Sequence, residues 1–151
     1  MKKVDMIVHA PHFFTMEGDG VGYKTDVAMV VNAGKVEGFV TAEEEKEYQA
    51  DEVLELDHHA VIPGFVDGHM HTGDAILRGL AQDTNNWMMF GLQPFENAVT
   101  QEDRIAGSRM ALLEAVKSGT TTLGDYWHDM DDACAFIDKV GARGNITQLV
   151  R

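Results

Sequence analysis

Two histidines, His69 and His71, come directly after a largely apolar run and are separated by one residue. Side chains two positions apart on a strand point to the same side, so both imidazoles are expected to project together from the end of a strand. Imidazole is a common ligand of zinc, copper and iron. The pair therefore predicts part of a metal site, although histidine pairs at this spacing also occur by chance.

The segments that must position this pair alternate between strands and helices. The expected strands cover 61–71, 120–126 and 145–150, and the expected helices cover 100–118 and 129–139. Such alternation predicts a parallel α/β sheet with its site at the carboxyl ends of the strands. A complete (β/α)8 barrel needs about 250 residues, so we expect the first part of a TIM-type barrel, truncated after about three strands.

The helix that follows Thr100 has the clearest start signal in the chain. Threonine is a favoured N-cap, and acidic residues stand in the first turn, where the helix dipole stabilises them. Its large apolar side chains predict the buried face, which we expect to contain Ile105, Ala106, Met110, Leu112, Leu113 and Val116.

The first 60 residues predict a small antiparallel β unit. Segments 26–31 and 36–40 flank the turn 32–35 and form a hairpin signal. Segment 13–16 is expected to continue or pair with the first strand, and 52–57 alternates like a half-buried strand. A β unit of this size is marginal alone, so the sequence predicts a boundary near residue 60 and packing against another element.

Composition excludes several kinds of partner. The net charge of −13 disfavours nucleic acid, which needs a basic surface, and an anionic membrane surface. The sequence has no apolar run of the roughly 18 residues that a membrane span requires. The single cysteine, Cys134, allows no internal disulfide and is expected to be buried. A cytoplasmic protein is the expectation.

Several motifs, in this order, resemble the amidohydrolase superfamily and, within it, the chlorohydrolase and aminohydrolase branch that includes nucleoside deaminases and triazine hydrolases. The motifs lie at 63–71, 77–83, Trp87, 94–96 and 118–122. The resemblance implies an α/β fold in which 1–60 is the N-terminal part of a composite β-sandwich domain. Residues 61–151 would then be the first, incomplete part of the metal-dependent hydrolase barrel.

The resemblance also implies roles for individual residues. His69 and His71 match the first two ligands of a divalent metal, zinc or alternatively iron. Glu96 matches a residue that contacts ribose hydroxyls, and Trp87 a substrate-side aromatic of the family pattern. The other interpretations stay open: Glu96 as a solvated residue at a helix start, and Trp87 as a packing residue.

Two further residues near the second strand are expected to do no chemistry. Asp125 could face the site but is predicted to be structural, and His128 is predicted to lie on the surface. No residue of the chain is assigned as the catalytic acid or base, because the family's remaining ligands and proton-transfer groups belong to later strands.

The function implied is hydrolytic deamination, or dehalogenation, of a nucleoside, nucleobase or other nitrogen heterocycle by a metal-activated water. The chain is expected to be the N-terminal fragment of such an enzyme, inactive alone, with a small-molecule substrate and a homo-oligomeric full-length form. A non-catalytic remnant or interaction module is the alternative from another class. A phosphoesterase is a third, disfavoured by the β unit and by the motif 118–120.

Overall fold

The computed structural model describes residues 1–80 and 82–150. It is a mixed α/β structure that separates into two compact units, Met1–Pro63 and Gly64–Arg151. Each unit is described by itself below.

The first unit consists of two small sheets and one short helix. A four-stranded sheet has the order β5-β4-β1-β6, and a three-stranded sheet has the order β3-β2-β7. In chain order the elements are β1 (Lys2–His9), β2 (His12–Phe14), β3 (Tyr23–Lys24), β4 (Ala28–Asn32), β5 (Lys35–Val40), α1 (Ala42–Glu45), β6 (Tyr48–Glu55) and β7 (Ala60–Val61).

The hairpin prediction for this unit is confirmed, but the antiparallel arrangement is wrong. β4 and β5 pair antiparallel around a turn in which Ala33 and Gly34 both have positive φ. β1, however, pairs parallel with β6, and β2 pairs parallel with β7, so both sheets are mixed. After α1 the chain returns to the free edge of β1, and β6 runs in the same direction as β1. Local sequence patterns do not reveal this strand pairing.

Two strand predictions also need correction. β2 does not continue or pair with β1 but pairs with β3 and β7. β6 begins earlier than expected, and its side chains Val53 and Leu54 are exposed rather than half-buried. The core of the unit lies on the other strands and contains Val4, Ile7, Ala28, Val30 and Val40.

His9, at the end of β1, links β6 to α1. Its Nδ1 lies 2.8 Å from Glu55 Oε1 and its Nε2 lies 3.0 Å from Glu45 Oε1. Carboxylates only accept hydrogen bonds, so both ring nitrogens donate when the imidazole is protonated. Burial lowers the pKa of His9, but the hydrogen bonds and charges of Glu55 and Glu45 together raise it above its ordinary value of 6.5.

We expect this cluster to stabilise the first unit at low pH. A raised pKa in the folded state gives stability that is complete below about pH 6.5 and is lost as the pH rises through the folded-state pKa. His9→Gln should remove up to about 1 kcal/mol of unfolding free energy at pH 6 and less at pH 8. Urea unfolding at both pH values measures this, with exposed His59→Gln as the control. If His9→Gln lost the same unfolding free energy at pH 6 and pH 8, the stabilisation by protonated His9 would be contradicted.

The second unit contains a three-stranded parallel sheet of order β10-β9-β8, with helices between the strands. Its parallel β/α alternation is as predicted. In chain order the elements are β8 (Phe65–Met70), a 3₁₀ helix (Thr72–Leu77), a π-helical turn (Met88–Leu92), α2 (Gln93–Ala98), α3 (Gln101–Lys117), β9 (Thr120–Trp127), α4 (Met130–Val140) and β10 (Arg143–Gln148).

One buried cluster joins the sheet to α3 and α4. Its fully buried members are Leu112, Leu123, Met130, Ala133 and Ile137. Thr100 caps α3 as predicted, because its hydroxyl accepts from the Asp103 amide while the Asp103 carboxylate accepts from the Thr100 amide. Cys134 on α4 is exposed, so its predicted burial is wrong. No helix within the described ranges is long and apolar enough to cross a membrane.

The prediction for the buried face of α3 is confirmed only in part. Leu112 is buried, and Ile105 and Val116 are half-buried, but Met110 and Leu113 are 39% and 49% exposed. The buried residues are Arg104, Gly107, Ser108, Ala111 and Leu112. They follow helical spacing, but most are small or polar, because this face packs closely against the 3₁₀ helix that follows His71. Large apolar residues alone therefore predict only part of the buried face.

Gly107 marks the closest approach on this face. A Cβ at this position would lie 2.9 Å from the Gly73 carbonyl oxygen and 3.3 Å from Ile76 Cγ2. Gly→Ala inside an exposed helix usually stabilises by about 1 kcal/mol. We expect Gly107→Ala to destabilise instead, by about 1–3 kcal/mol, since the backbone must move to admit the methyl group. Thermal unfolding measures this, with Gly38→Ala as the control because no atom lies within 4 Å of its Cβ position. A stabilised Gly107→Ala would be the contrary result.

Candidate metal centre

The carboxyl end of β8 brings the two histidines together. The ring centroids of His69 and His71 are 4.8 Å apart, with the planes nearly perpendicular. The pairing of β8 with β9 is irregular between Asp67 and Met70, where β8 holds an extra residue. Such a bulge changes the direction of side chains at a strand end. The predicted juxtaposition of the two imidazoles is thus present in the fold.

The backbones of β8 and β9 approach closely within this bulge. A Cβ on Gly124 would lie 2.8 Å from the Gly68 carbonyl oxygen, so only glycine fits there. The Asp67 carboxylate accepts a hydrogen bond of 3.1 Å from the His69 amide. Both features fix the backbone from which the histidine pair projects.

A hydrogen bond to the backbone orients His71. Its Nδ1 lies 3.3 Å from the Tyr126 carbonyl oxygen. A carbonyl can only accept, so Nδ1 carries the proton and Nε2 of the neutral ring keeps its lone pair. A second partner of this kind selects the tautomer of metal-binding histidines. The Tyr126 ring contacts both imidazoles, with centroids 5.7 Å from His69 and 4.8 Å from His71.

A buried polar network holds the segment directly after His71. The Thr72 hydroxyl donates to Asp125 Oδ2 and accepts from the Ser108 hydroxyl, which is 3.0 Å away. The Thr72 amide also donates to Asp125 Oδ2, over 3.3 Å. All three residues are less than 9% exposed. The network ties β8, β9 and α3 together, and Asp125 has the structural contacts that the sequence predicted.

The donor set fits part of a zinc or iron site. Two imidazoles side by side, one with its Nε2 lone pair available, match ligands that these metals favour. A catalytic zinc site usually takes three protein ligands. Within residues 1–80 and 82–150, no group of three or more His, Cys, Asp or Glu side chains is arranged to hold a metal ion. His69 and His71 can therefore supply two ligands of such a site.

A cavity of about 510 Å³ lies next to this end of the sheet. Trp127 connects the two places, because its indole contacts the His71 ring at 5.0 Å and also lines the cavity. The remaining lining residues are Asn86, Met88, Met89, Leu92, Gln93, Glu96 and His128. The lining combines a carboxylate, an imidazole and an indole with two flexible thioethers, which suits an aromatic ring with polar substituents.

Glu96 at this cavity is held by a buried arginine. Arg104 Nη1 and Nη2 donate to Glu96 Oε1 and Oε2 over 2.8 and 2.9 Å, and Arg104 is only 9% exposed. Hydrogen bonding to Arg104 lowers the pKa of Glu96. Asp74 Oδ1 lies 3.6 Å from Arg104 Nη1. Burial, followed by the charge of Glu96, raises the pKa of Asp74 to about 6.

The predicted site residues differ in where the structure places them. His69 and His71 lie together, and Glu96 lines the cavity reached through Trp127. Trp87 is 52% exposed and does not line that cavity. His128, expected at the surface, is half-buried, contacts the Trp127 ring and lines the cavity. The roles of these residues stay predictions.

Sequence reasoning missed Arg104, Asp74 and Trp127. Arg104 and Asp74 lie in segments whose helical pattern is defined by their apolar residues. A signal was present, since Arg104 stands at helical spacing with Gly107, Ser108 and Ala111. A stripe of small residues that includes an arginine predicts a buried ion pair on that face.

Comparison with known proteins confirms the resemblance. The sequence profile of the amidohydrolase family matches residues 60–139, slightly more than half of the chain. The chain therefore belongs to the amidohydrolase family.

A curated relative and two solved structures show the range of similar proteins. A 5-methylthioadenosine/S-adenosylhomocysteine deaminase of Desulforamulus reducens is 30% identical over 95% of this chain and 34% of the relative. An adenosine deaminase from Xanthomonas campestris with bound zinc superposes with a TM-score of 0.86 at 24% identity, over 95% of this chain and 33% of that structure. Atrazine chlorohydrolase from Arthrobacter aurescens, complexed with zinc, superposes with a TM-score of 0.77 at 14% identity, over 95% of this chain and 35% of that structure. The chain spans about a third of the length of these proteins.

Proposed function

We propose that this chain provides the first part of a metal-dependent hydrolase that deaminates an adenosine-like nucleoside. The observation that carries the proposal is the arrangement at one end of the parallel sheet. The histidine pair lies beside Trp127, which also lines the cavity that contains Glu96. The name of the Desulforamulus reducens relative supports deamination over dehalogenation, because the likeness to the chlorohydrolase is one of fold alone.

His69 and His71 would hold the metal, which we propose to be zinc; iron is the alternative. A divalent metal here would act as a Lewis acid and lower the pKa of a bound water toward neutrality. The Tyr126 carbonyl keeps His71 in the tautomer that presents Nε2. The zinc in the similar adenosine deaminase structure supports this choice. Further ligands and the acid and base groups would come from polypeptide beyond the residues described.

Glu96 and Trp87 are the proposed substrate-binding residues. Glu96 would accept hydrogen bonds from sugar hydroxyls, which its place in the cavity supports. Trp87 is the weaker proposal, since half of its side chain is exposed and it lies outside the cavity lining. The net charge of −13 supports a small-molecule substrate over nucleic acid.

We also propose the larger architecture that the family resemblance implies. The unit Gly64–Arg151 would form the first strands of a TIM-type barrel, and Met1–Pro63 part of a composite β-sandwich domain. The TM-scores of 0.86 and 0.77 against the two hydrolase structures support this proposal. Cytoplasmic location is proposed from the acidic composition and the single cysteine. Homo-oligomerisation stays a prediction from the resemblance.

The test is ammonia release by the zinc-loaded protein expressed from its complete reading frame. Adenosine, 5′-methylthioadenosine and 5′-deoxyadenosine are the substrates to compare. We expect a kcat/KM above about 10⁴ M⁻¹s⁻¹ for at least one of them, within the ordinary range of enzymes. A folded, zinc-loaded protein that releases no ammonia from any of the three would contradict the proposal.

A further inference from the structure

The ion pair between Arg104 and Glu96 is the feature of the second unit that the proposed function leaves unexplained. The two terminal guanidinium nitrogens of Arg104 each donate a hydrogen bond to one carboxylate oxygen of Glu96, over 2.8 and 2.9 Å. Bidentate pairs of this kind fix the carboxylate in its plane as well as in position. Arg104 is 9% exposed, so the guanidinium lies beneath Glu96 and away from solvent.

The bidentate pair with Arg104 leaves about half of the lone-pair directions of the Glu96 carboxylate free. A carboxylate offers about four lone-pair directions on its two oxygens, and a bidentate arginine occupies one on each. Each oxygen of Glu96 therefore keeps one direction for another donor, and Glu96 lines the cavity beside Trp127. Two acceptors at fixed spacing match a ligand that presents two neighbouring hydroxyl donors.

Asp74 completes the cluster from the 3₁₀ helix. Its Oδ1 is buried, has no hydrogen-bond partner among the described residues, and faces Arg104 Nη1 at 3.6 Å. Two carboxylates thus face one guanidinium, and hydrogen bonding to Arg104 is the main cause that lowers the pKa of Glu96. Glu96 is thereby kept as a pure acceptor, the form that hydroxyl recognition requires.

We propose that Arg104, supported by Asp74, is a positioning residue that holds Glu96 as the acceptor for two vicinal hydroxyls of the substrate sugar. The inference rests on the proposed function and adds the residues that determine selectivity for a sugar diol. Arg104 itself is not among the residues that line the cavity, so it would act on the sugar through Glu96.

The experiment compares two nucleosides that differ in the diol alone. KM and kcat for adenosine and 2′,3′-dideoxyadenosine are measured on the zinc-loaded protein expressed from its complete reading frame. Arg104→Gln should raise KM for adenosine about tenfold, the equivalent of one charged hydrogen bond, with kcat nearly unchanged. KM for the dideoxy analogue should stay within about twofold, since a site without its hydroxyl partners has nothing further to lose.

Two other variants separate positioning from stability. Arg104→Lys keeps the positive charge but loses the bidentate geometry, so its KM for adenosine should lie between those of the wild type and Arg104→Gln. Arg109→Gln removes a similar bidentate pair, with Asp132, elsewhere on α3, and should leave both KM values unchanged. A carbon-13 NMR titration of the Glu96 carboxyl gives a readout without turnover, in which Arg104→Gln should raise its pKa toward the ordinary range.

The outcomes distinguish the two proposals. Equal KM increases for both nucleosides in Arg104→Gln and Arg104→Lys would overturn the positioning role, as would no change for adenosine. If the wild-type protein deaminates neither nucleoside, the proposed function fails, and the inference fails with it.

Discussion

Replacing His71 with alanine is expected to weaken zinc binding by more than about a hundredfold, the upper limit for loss of an outer partner of a metal site. His71 is the better fixed of the two histidines, because its Nδ1 donates to the Tyr126 carbonyl and leaves Nε2 oriented. Removing this ring would take away a ligand and its contact with Trp127 together. Because zinc binds more weakly to His71→Ala, zinc-dependent ammonia release by this variant should also fall.

The measurement is a competition titration of zinc against a chelator of known affinity. His59→Ala is the matched control, since His59 is an exposed histidine in a turn of the first unit. The control should bind zinc as the wild type does. Wild-type affinity in His71→Ala would show that the metal binds elsewhere.

The largest effect on folding is expected for Leu112→Ala. Leu112 is fully buried at the centre of the cluster that joins α3 to β9 and α4. Truncation to alanine loses the transfer free energy of the side chain and leaves a cavity, which costs about 2–5 kcal/mol of unfolding free energy. This is a large share of the roughly 5–15 kcal/mol that stabilises an ordinary domain.

The neighbouring residue supplies the control for this prediction. Leu113 has the same side chain on the same helix but is 49% exposed. Leu113→Ala should change the unfolding free energy by less than about 1 kcal/mol. Denaturant unfolding of both variants measures the difference, and equal losses would contradict the assigned face of α3.

The parts of the fold that could be predicted depend on neighbours in sequence. Patterns within a few residues predict the strand that ends beside His71, the cap at Thr100 and the β4–β5 hairpin. The apolar run before the histidines predicts the strand end, and alternation predicts that both rings project together, with which the 4.8 Å between the ring centroids agrees.

The parts that could not be predicted depend on contacts between distant segments. The parallel pairing of β1 with β6 joins residues about 46 positions apart, such as Lys2 and Tyr48. The part of α3 that packs closely on the 3₁₀ helix is set by that contact, and small residues such as Gly107 and Ser108 lie there. Glu96 lies on α2 and Arg104 on α3, so the helical spacing within one helix cannot predict that the two residues pair.

The site shows the same division. The candidate metal ligands, His69 and His71, lie two positions apart in sequence and could be predicted to lie together, whereas Tyr126, which orients His71, lies 55 residues away. Asp125 and Thr72, 53 residues apart, form a buried network that only the β8–β9 pairing creates. The supporting residues of a site are set by tertiary structure, and they decide how firmly its ligands are held.

The most direct test of the account is restoration of activity by zinc. The protein expressed from its complete reading frame is stripped with a chelator and titrated with zinc in the presence of adenosine-type nucleosides, and ammonia is measured at each step. We expect no turnover in the stripped protein, and a rise with added zinc that His71→Ala abolishes. Full turnover by the stripped protein, or an undiminished rise in His71→Ala, would contradict it.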